Sequence, residues 1–181
     1  HKNVYSDSYG QELHAAIESS EDLGKLLDGL KSESLVKYKA SLRSMLSHQL
    51  YQVSRLIALR GQRKAERDFF FVSRGGWDMH SGLVDGLNDA LAEVDDAIAG
   101  FVGELKAQGV FDSVVLATSS DFGRTLSFNG RGTDHGWSGN HIVVGGGING
   151  GQIYNDFLKS YELGGTYDAG RGRVIPEYPW E

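Results

Sequence analysis

The sequence predicts an α/β fold with a helical N-terminal portion, and three observations carry that reading. Apolar residues recur at steps of three and four through the first third of the chain. Two short runs of strand formers, at 69–72 and 114–117, flank a second stretch of the same helical period. Glycine-rich segments follow each run, where a chain leaving a strand must turn.

At 181 residues the chain is long enough for one domain with a sizeable core. Its 40% hydrophobic and 23% charged content are those of a folded, water-exposed protein. No apolar run approaches the ~20 residues that a membrane-spanning helix requires. With no cysteine, disulfides, thiolate metal sites and cysteine nucleophiles are excluded, so any metal must be held by nitrogen and oxygen.

Residues 8–30 read as one helix or two short ones interrupted near Gly24. Residues 33–60 carry the stronger pattern. Leu35, Tyr38, Leu42, Leu46, Leu50, Val53 and Ile57 form one stripe along one helix face. His14 and His48 fall within these helices and read as surface or core-edge histidines. Residues 31–67 hold nine Lys/Arg against two acids, while 68–181 hold seven against sixteen. The basic residues alternate with apolar ones at helical spacing, which describes a solvated helix face and argues against a nucleic-acid partner.

The pattern then changes. Phe69, Phe70, Phe71 and Val72 form a short strand-like run over 68–73, stopped by Gly75 and Gly76. A helix over 84–107 places Leu87, Leu91, Val94, Ile98, Phe101 and Leu105 on one face and ends at Gly109, a C-cap. "DSVVLATSS" follows as a continuous apolar strand over 112–118, of the kind buried on both faces. Strand, helix, strand is a βαβ unit, so the two strands are expected to be parallel. A third strand, "HIVVGG", begins at His141. Residues 119–140 between strands two and three show no periodicity and hold five glycines, and "GGTYDAGRGR" at 164–173 resembles a second such loop. The organisation expected is a helical portion, 1–67, and an α/β portion, 68–181, of one domain.

Ligands of open parallel sheets bind beyond the carboxyl ends of the strands. Asp78 and His80 follow the first strand, Asp121 follows the second, and Asp134, His135 and His141 lie on the return to the third. Six candidate metal ligands thus gather at one edge of the expected sheet. Carboxylates with imidazoles suit Zn²⁺ or Mn²⁺, whereas an all-oxygen subset would suit Ca²⁺ or Mg²⁺. Arg124, in "SSDFGRT", has the two-pronged donor geometry for a phosphate or sulfate oxygen, and equally for a salt bridge. Ser119, Ser120 and Thr125 are hydroxyls of the loop, either nucleophiles or backbone-bonded turn residues. Trp77 and Trp137 stand beside candidate ligands, as pocket walls or as core. "GGGINGG" lacks the Lys-Ser/Thr ending of a phosphate-binding loop and reads as a tight turn.

The stretches "FFFVSRGGWDMH", "SSDFGRT", "NGRGTDHGWSGNHIVVGGGINGGQIY" and "GRGRVIP" resemble, in order and spacing, the domain-of-unknown-function family 1501, grouped with the alkaline phosphatase and sulfatase superfamily. The resemblance covers roughly residues 50–176. It implies a largely parallel, alkaline-phosphatase-like sheet flanked by helices and a site that hydrolyses phosphate or sulfate esters with one or two metals. Asp78 and His80 then correspond to one ligand pair, and Asp134 with His135 to part of another. Asp121 stands where the family has Glu and reaches less far; His141 matches less closely than His135. Export from the cytoplasm is also implied. The chain begins at His1 and ends at Trp180-Glu181. Set against the superfamily it lacks the early aspartate and nucleophile, so an incomplete domain is expected, completed by the remainder of the same polypeptide or by a protein partner. The contrasting expectation is a non-catalytic structural or binding subunit of a larger assembly.

Overall fold

The computed structural model describes residues 4–156 and 158–177; Trp180 and Glu181 lie outside them. The chain divides into two compact units, 1–73 and 74–181, six residues later than the change in sequence pattern.

The first unit is helical. α1 (Val4–Gly29) runs through Gly24 without interruption. The single 33–60 stripe is split into α2 (Glu33–Ser41) and α3 (Met45–Ala58). The cause is local. Ser44 takes an extended backbone and caps α3, its hydroxyl accepting from the Ser47 N–H while Ser47 Oγ accepts from the Ser44 N–H. This reciprocal pair satisfies two otherwise orphaned backbone donors and fixes a new helix start. The stripe nonetheless does its work: Leu35, Tyr38, Leu46, Leu50, Val53 and Ile57 are all buried. The basic residues behave as helix-face and capping groups. Arg55 donates to the Leu27 carbonyl, Arg60 to that of Ile57, and Arg63 to that of Leu56 and to Asp68.

Residues 68–72 form no strand, which departs from the βαβ expectation. The apolar run finds no ladder partner among the described residues, and Phe69 and Phe71 are 90% and 88% exposed. Its end is tied instead by Gln49 of α3. That side-chain amide donates to the Ser73 carbonyl at 2.8 Å and accepts from the Ser73 N–H at 3.0 Å, as a neighbouring strand would.

The second unit opens with α4 (Leu83–Ala107), which buries Ala90, Ala97, Phe101 and Leu105 along one face. Gly109, at φ +67°, ends it as the sequence predicts. Its N–H bonds to Lys106 O, and that of Val110 to Leu105 O, the paired bonds of a Schellman stop. A 3₁₀ turn (Phe111–Ser113) leads to β1 (Val115–Ala117). β2 (Gly123–Phe128), β3 (Thr133–Gly136) and β4 (Val143–Gly145) follow.

The strands form two small antiparallel sheets rather than a parallel one. β1 pairs with β4, Leu116 opposite Val144, and β2 pairs with β3, Arg124 opposite His135. Hydrophobicity marked the 112–118 run as a strand but not its partner. Only its centre joins a ladder, and Val115 is 61% exposed, so the strand is not buried on both faces. The supposed loop 119–140 contains the β2–β3 hairpin. Asn129 Oδ1 accepts from the N–H groups of Arg131 and Gly132, closing a turn in which Gly130 takes φ +97°. Among the described residues no helix is long and apolar enough to cross a membrane.

Candidate metal centre

The site belongs wholly to the second unit and rests on three segments: 77–80 before α4, the β2–β3 hairpin, and the loop around 164–175.

The first segment is a tight turn. Met79 N–H bonds to Trp77 O and His80 N–H to Asp78 O, while the Trp77 indole donates to Arg74 O. Arg74 lies 5.0 Å over the Trp77 ring and pairs with Glu93 of α4, anchoring the turn to that helix. The hairpin approaches from the other side. Gly82 N–H donates to Arg131 O, and Gly132 sits so close that a Cβ there would lie 2.6 Å from Met79 O and 2.8 Å from His80 C. Only glycine permits this approach. Arg124 completes the join, donating to the carbonyls of Trp77 and, at 2.8 Å, Thr133.

These constraints bring Asp78, His80 and His135 together, with one ligand atom from each within 4.8 Å of the others. Asp78 Oδ1 is the hub. His135 Nε2 lies 2.5 Å from it and His80 Nε2 2.8 Å. The imidazoles are stacked with centroids 5.2 Å apart, and Phe122 lies flat against His135. The hydrogen bond with His135 holds the Asp78 carboxyl below its ordinary range, helped by the charges of His80, His135 and Arg124 and opposed by desolvation.

Asp134 stands one step behind. Its Oδ1 accepts from Asn129 Nδ2 at 3.0 Å and faces His80 Nδ1 at 3.2 Å; its Oδ2 accepts from Arg171 at 2.6 Å. The Asn129 bond is the main cause of its lowered pKa, with His80 and Arg171 acting in the same direction.

The other expected residues stand apart from this group. Asp121 is exposed in the bend before β2, and His141 is exposed with its Nδ1 on Thr118 O at 3.0 Å. Neither belongs to the three-residue cluster. Arg124 lies 3.8 Å from Asp78 Oδ1, so it serves the site both as a cation and as a tie between its segments. Thr125 is buried, its hydroxyl donating to Ser127 O and accepting from the Asp134 N–H; Ser120 donates to Phe122 O. Trp77 is part of the anchoring turn, and Trp137 is 66% exposed.

Asn129, Phe122 and Arg171 were not among the expected residues. The signal for the first was the Asn-Gly pair of a hairpin turn. For Arg171 it was the "GRGR" run, in which Gly170, Arg171 and Gly172 all take positive φ.

The model of one protein family, described as a protein of unknown function (DUF1501), matches residues 7–162. The chain belongs to the DUF1501 family. No curated protein and no solved structure matches it. The match takes in α1–α3, further toward the N-terminus than the motifs at 50–176 indicate. Every residue of the DUF1501 cluster and its Asn129 support falls within the matched span, whereas Arg171 lies beyond it.

Proposed function

We propose that this DUF1501 chain binds a divalent cation through Asp78, His80 and His135 and acts as the metal-binding part of a phosphatase- or sulfatase-like ester hydrolase. The single observation that carries this reading is the convergence of two imidazole Nε2 atoms on one carboxylate oxygen, from segments more than fifty residues apart in sequence. The donor set fits: two imidazoles and a carboxylate without thiolate favour a first-row ion such as Zn²⁺ or Mn²⁺ over Ca²⁺ or Mg²⁺.

A bound ion would supply Lewis-acid polarisation of an ester oxygen and neutralise its charge. The chain's own residues would do the rest. Phe122 and His80 confine the His135 ring. Arg124 holds the Asp78 turn to the hairpin and adds positive charge beside the place an anionic ester would occupy. The superfamily's parallel sheet, and further polypeptide completing it, belong to the same proposal, supported by the uncovered Phe69 and Phe71.

A second reading, cation binding without turnover, is favoured by one observation. Thr125, the hydroxyl bonded to the Asp134 backbone, is committed to backbone partners on both sides.

The test is elemental analysis of the purified native protein, with hydrolysis of p-nitrophenyl phosphate and p-nitrophenyl sulfate assayed before and after chelation. Metal at one ion per chain, lost in His135→Ala together with hydrolysis, supports the hydrolase. Metal without hydrolysis supports the second reading, and unchanged metal content in His135→Ala excludes both.

A further inference from the structure

Asp134 sits beside the cluster yet contributes no atom to it, and its surroundings explain why. Consecutive positions on a strand project to opposite faces, and here the neighbours part company. His135 goes to Asp78 and Phe122, while Asp134 goes to Asn129, Arg171 and the far nitrogen of His80.

Both Asp134 oxygens are engaged. Oδ2 holds the short, charge-assisted bond from Arg171, and Oδ1 is shared between Asn129 and His80. With two donors on Oδ1 and one on Oδ2, a cation could reach directly only the remaining lone pair of Oδ2, beside the Arg171 guanidinium. Arg171 is not casually placed. It takes φ +62° between two glycines, and the Gly172 carbonyl accepts from Leu126 N–H at 2.8 Å, fixing the loop to β2. A Cβ on Gly172 would lie 2.7 Å from Ser127 N, so the contact depends on glycine.

His80 is bracketed by carboxylates, Asp134 at Nδ1 and Asp78 at Nε2. A neutral imidazole carries one N–H. Nε2 lies 2.8 Å from an oxygen of Asp78, which only accepts, so its lone pair can serve a cation only where the ion stands between them, and the ring proton then belongs on Nδ1, facing Asp134.

We propose that Asp134 is the positioning residue of the site: supported by Asn129 and Arg171, it holds His80 in the Nδ1–H tautomer, so that Nε2 faces the cation position. This rests on the cation-binding reading above and deepens it. A ligating histidine whose other nitrogen is held by a carboxylate is fixed in orientation and made more basic, and removing such a support weakens metal affinity by about 10- to 100-fold.

Two measurements on the native chain test this. The first is ¹⁵N NMR of histidine-labelled protein titrated with Zn²⁺, with the His80 resonances assigned by their loss in His80→Gln. The expected result is a Zn²⁺-shifted Nε2 and a protonated Nδ1 in the native protein, with the Nδ1–H signal lost to solvent exchange in Asp134→Ala and kept in part in Asp134→Asn, whose amide oxygen still accepts. Zn²⁺ shifting Nδ1 instead of Nε2, or an Nδ1–H signal that Asp134→Ala leaves unchanged, overturns the proposal. The second is calorimetric titration with Zn²⁺. A positioning role predicts an affinity lower by about 10- to 100-fold in Asp134→Ala, with unchanged stoichiometry and partial rescue in Asp134→Asn. Equal and complete loss of the site in both variants, matching His80→Ala, would make Asp134 a ligand and overturn the proposal. If the native protein takes up no Zn²⁺, the cation reading fails and takes this proposal with it, whereas uptake with Nδ1 shifted by the metal overturns the proposal alone.

Discussion

The ring of Phe122 lies flat against that of His135, with centroids 3.9 Å apart and planes within 4° of parallel. Together with the stacked His80 ring, it leaves His135 little freedom to turn away from Asp78. Such ring pairs contribute about 0.5–1.5 kcal/mol. Phe122→Ala is therefore expected to weaken Zn²⁺ binding by about 2- to 10-fold, and Phe122→Leu by less. Titration calorimetry reads the difference, and equal affinities in all three proteins would remove Phe122 from the site.

Two glycine substitutions should act in opposite directions. Gly132→Ala drives a methyl into backbone atoms of Met79 and His80, which cannot rotate aside as a side chain can. Overpacking of this kind costs about 1–3 kcal/mol, and it displaces His80. A lowered melting temperature together with weaker cation binding is expected. Gly103 lies inside α4 with nothing within 4 Å of a built Cβ. Gly103→Ala should stabilise by about 0.5–1 kcal/mol and leave binding alone. Thermal denaturation of the pair checks both signs.

Acid should loosen the Arg171 loop in a defined window. The Asp168 carboxylate accepts from the N–H groups of Gly164, at 2.7 Å, and Gly170, at 2.9 Å. The Gly164 bond is the main cause that lowers its pKa from 3.8. A folded value below the unfolded one means that the stabilisation is fully present above 3.8 and is lost as the pH falls through the folded value. Hydrogen exchange at the amides of Gly164 and Gly170 should accelerate in that window, after correction for intrinsic rates. Asp168→Asn should remove the acid dependence. Were it to persist in that variant, another group would be responsible.

The first unit offers a graded stability test. Ser44→Ala removes one half of the reciprocal cap on α3 and is expected to cost about 0.5–2 kcal/mol. Leu50→Ala empties a buried position and should cost about 2–5 kcal/mol. Urea denaturation distinguishes these magnitudes, and a larger loss from Ser44 than from Leu50 would contradict the packing described.

Local signals in the sequence were readable and pairwise ones were not. Gly109 stops α4 because the left-handed conformation it needs is a property of one residue, and the 84–107 period was sufficient to place the helix. The Ser44 start was equally local but was masked by a stripe that continues across it. The β2–β3 hairpin had its cue in Asn129-Gly130, a pair favoured in tight turns, hidden among other glycines. Strand pairing is a different kind of information. The run at 69–72 has the composition of a strand but nothing in it names a partner, so the βαβ reading rested on a partner that the described residues do not supply. Asp78, His80, Asp134 and His135 were legible by residue type and all meet at one place. Their individual partners were not, because these depend on Arg171, far along the chain, and on which face of β3 each side chain takes.

The Asn129-Gly130 turn also gives the site a chemical lifetime. Asn-Gly pairs lose the side-chain amide spontaneously when the following backbone nitrogen attacks the carboxamide carbon, and the product is an acidic residue. Here that amide is the donor 3.0 Å from Asp134 Oδ1. Deamidation would replace attraction by repulsion between two like charges beside His80, while lengthening the backbone wherever the isoaspartyl product forms. The hydrogen bonds from Arg131 and Gly132 to Asn129 Oδ1 hold the side chain in the turn. A preparation stored unfolded or at alkaline pH would deamidate at Asn129-Gly130 as at the chain's other Asn-Gly pair, Asn149-Gly150, and only the first change would unsettle the imidazole that Asp134 faces.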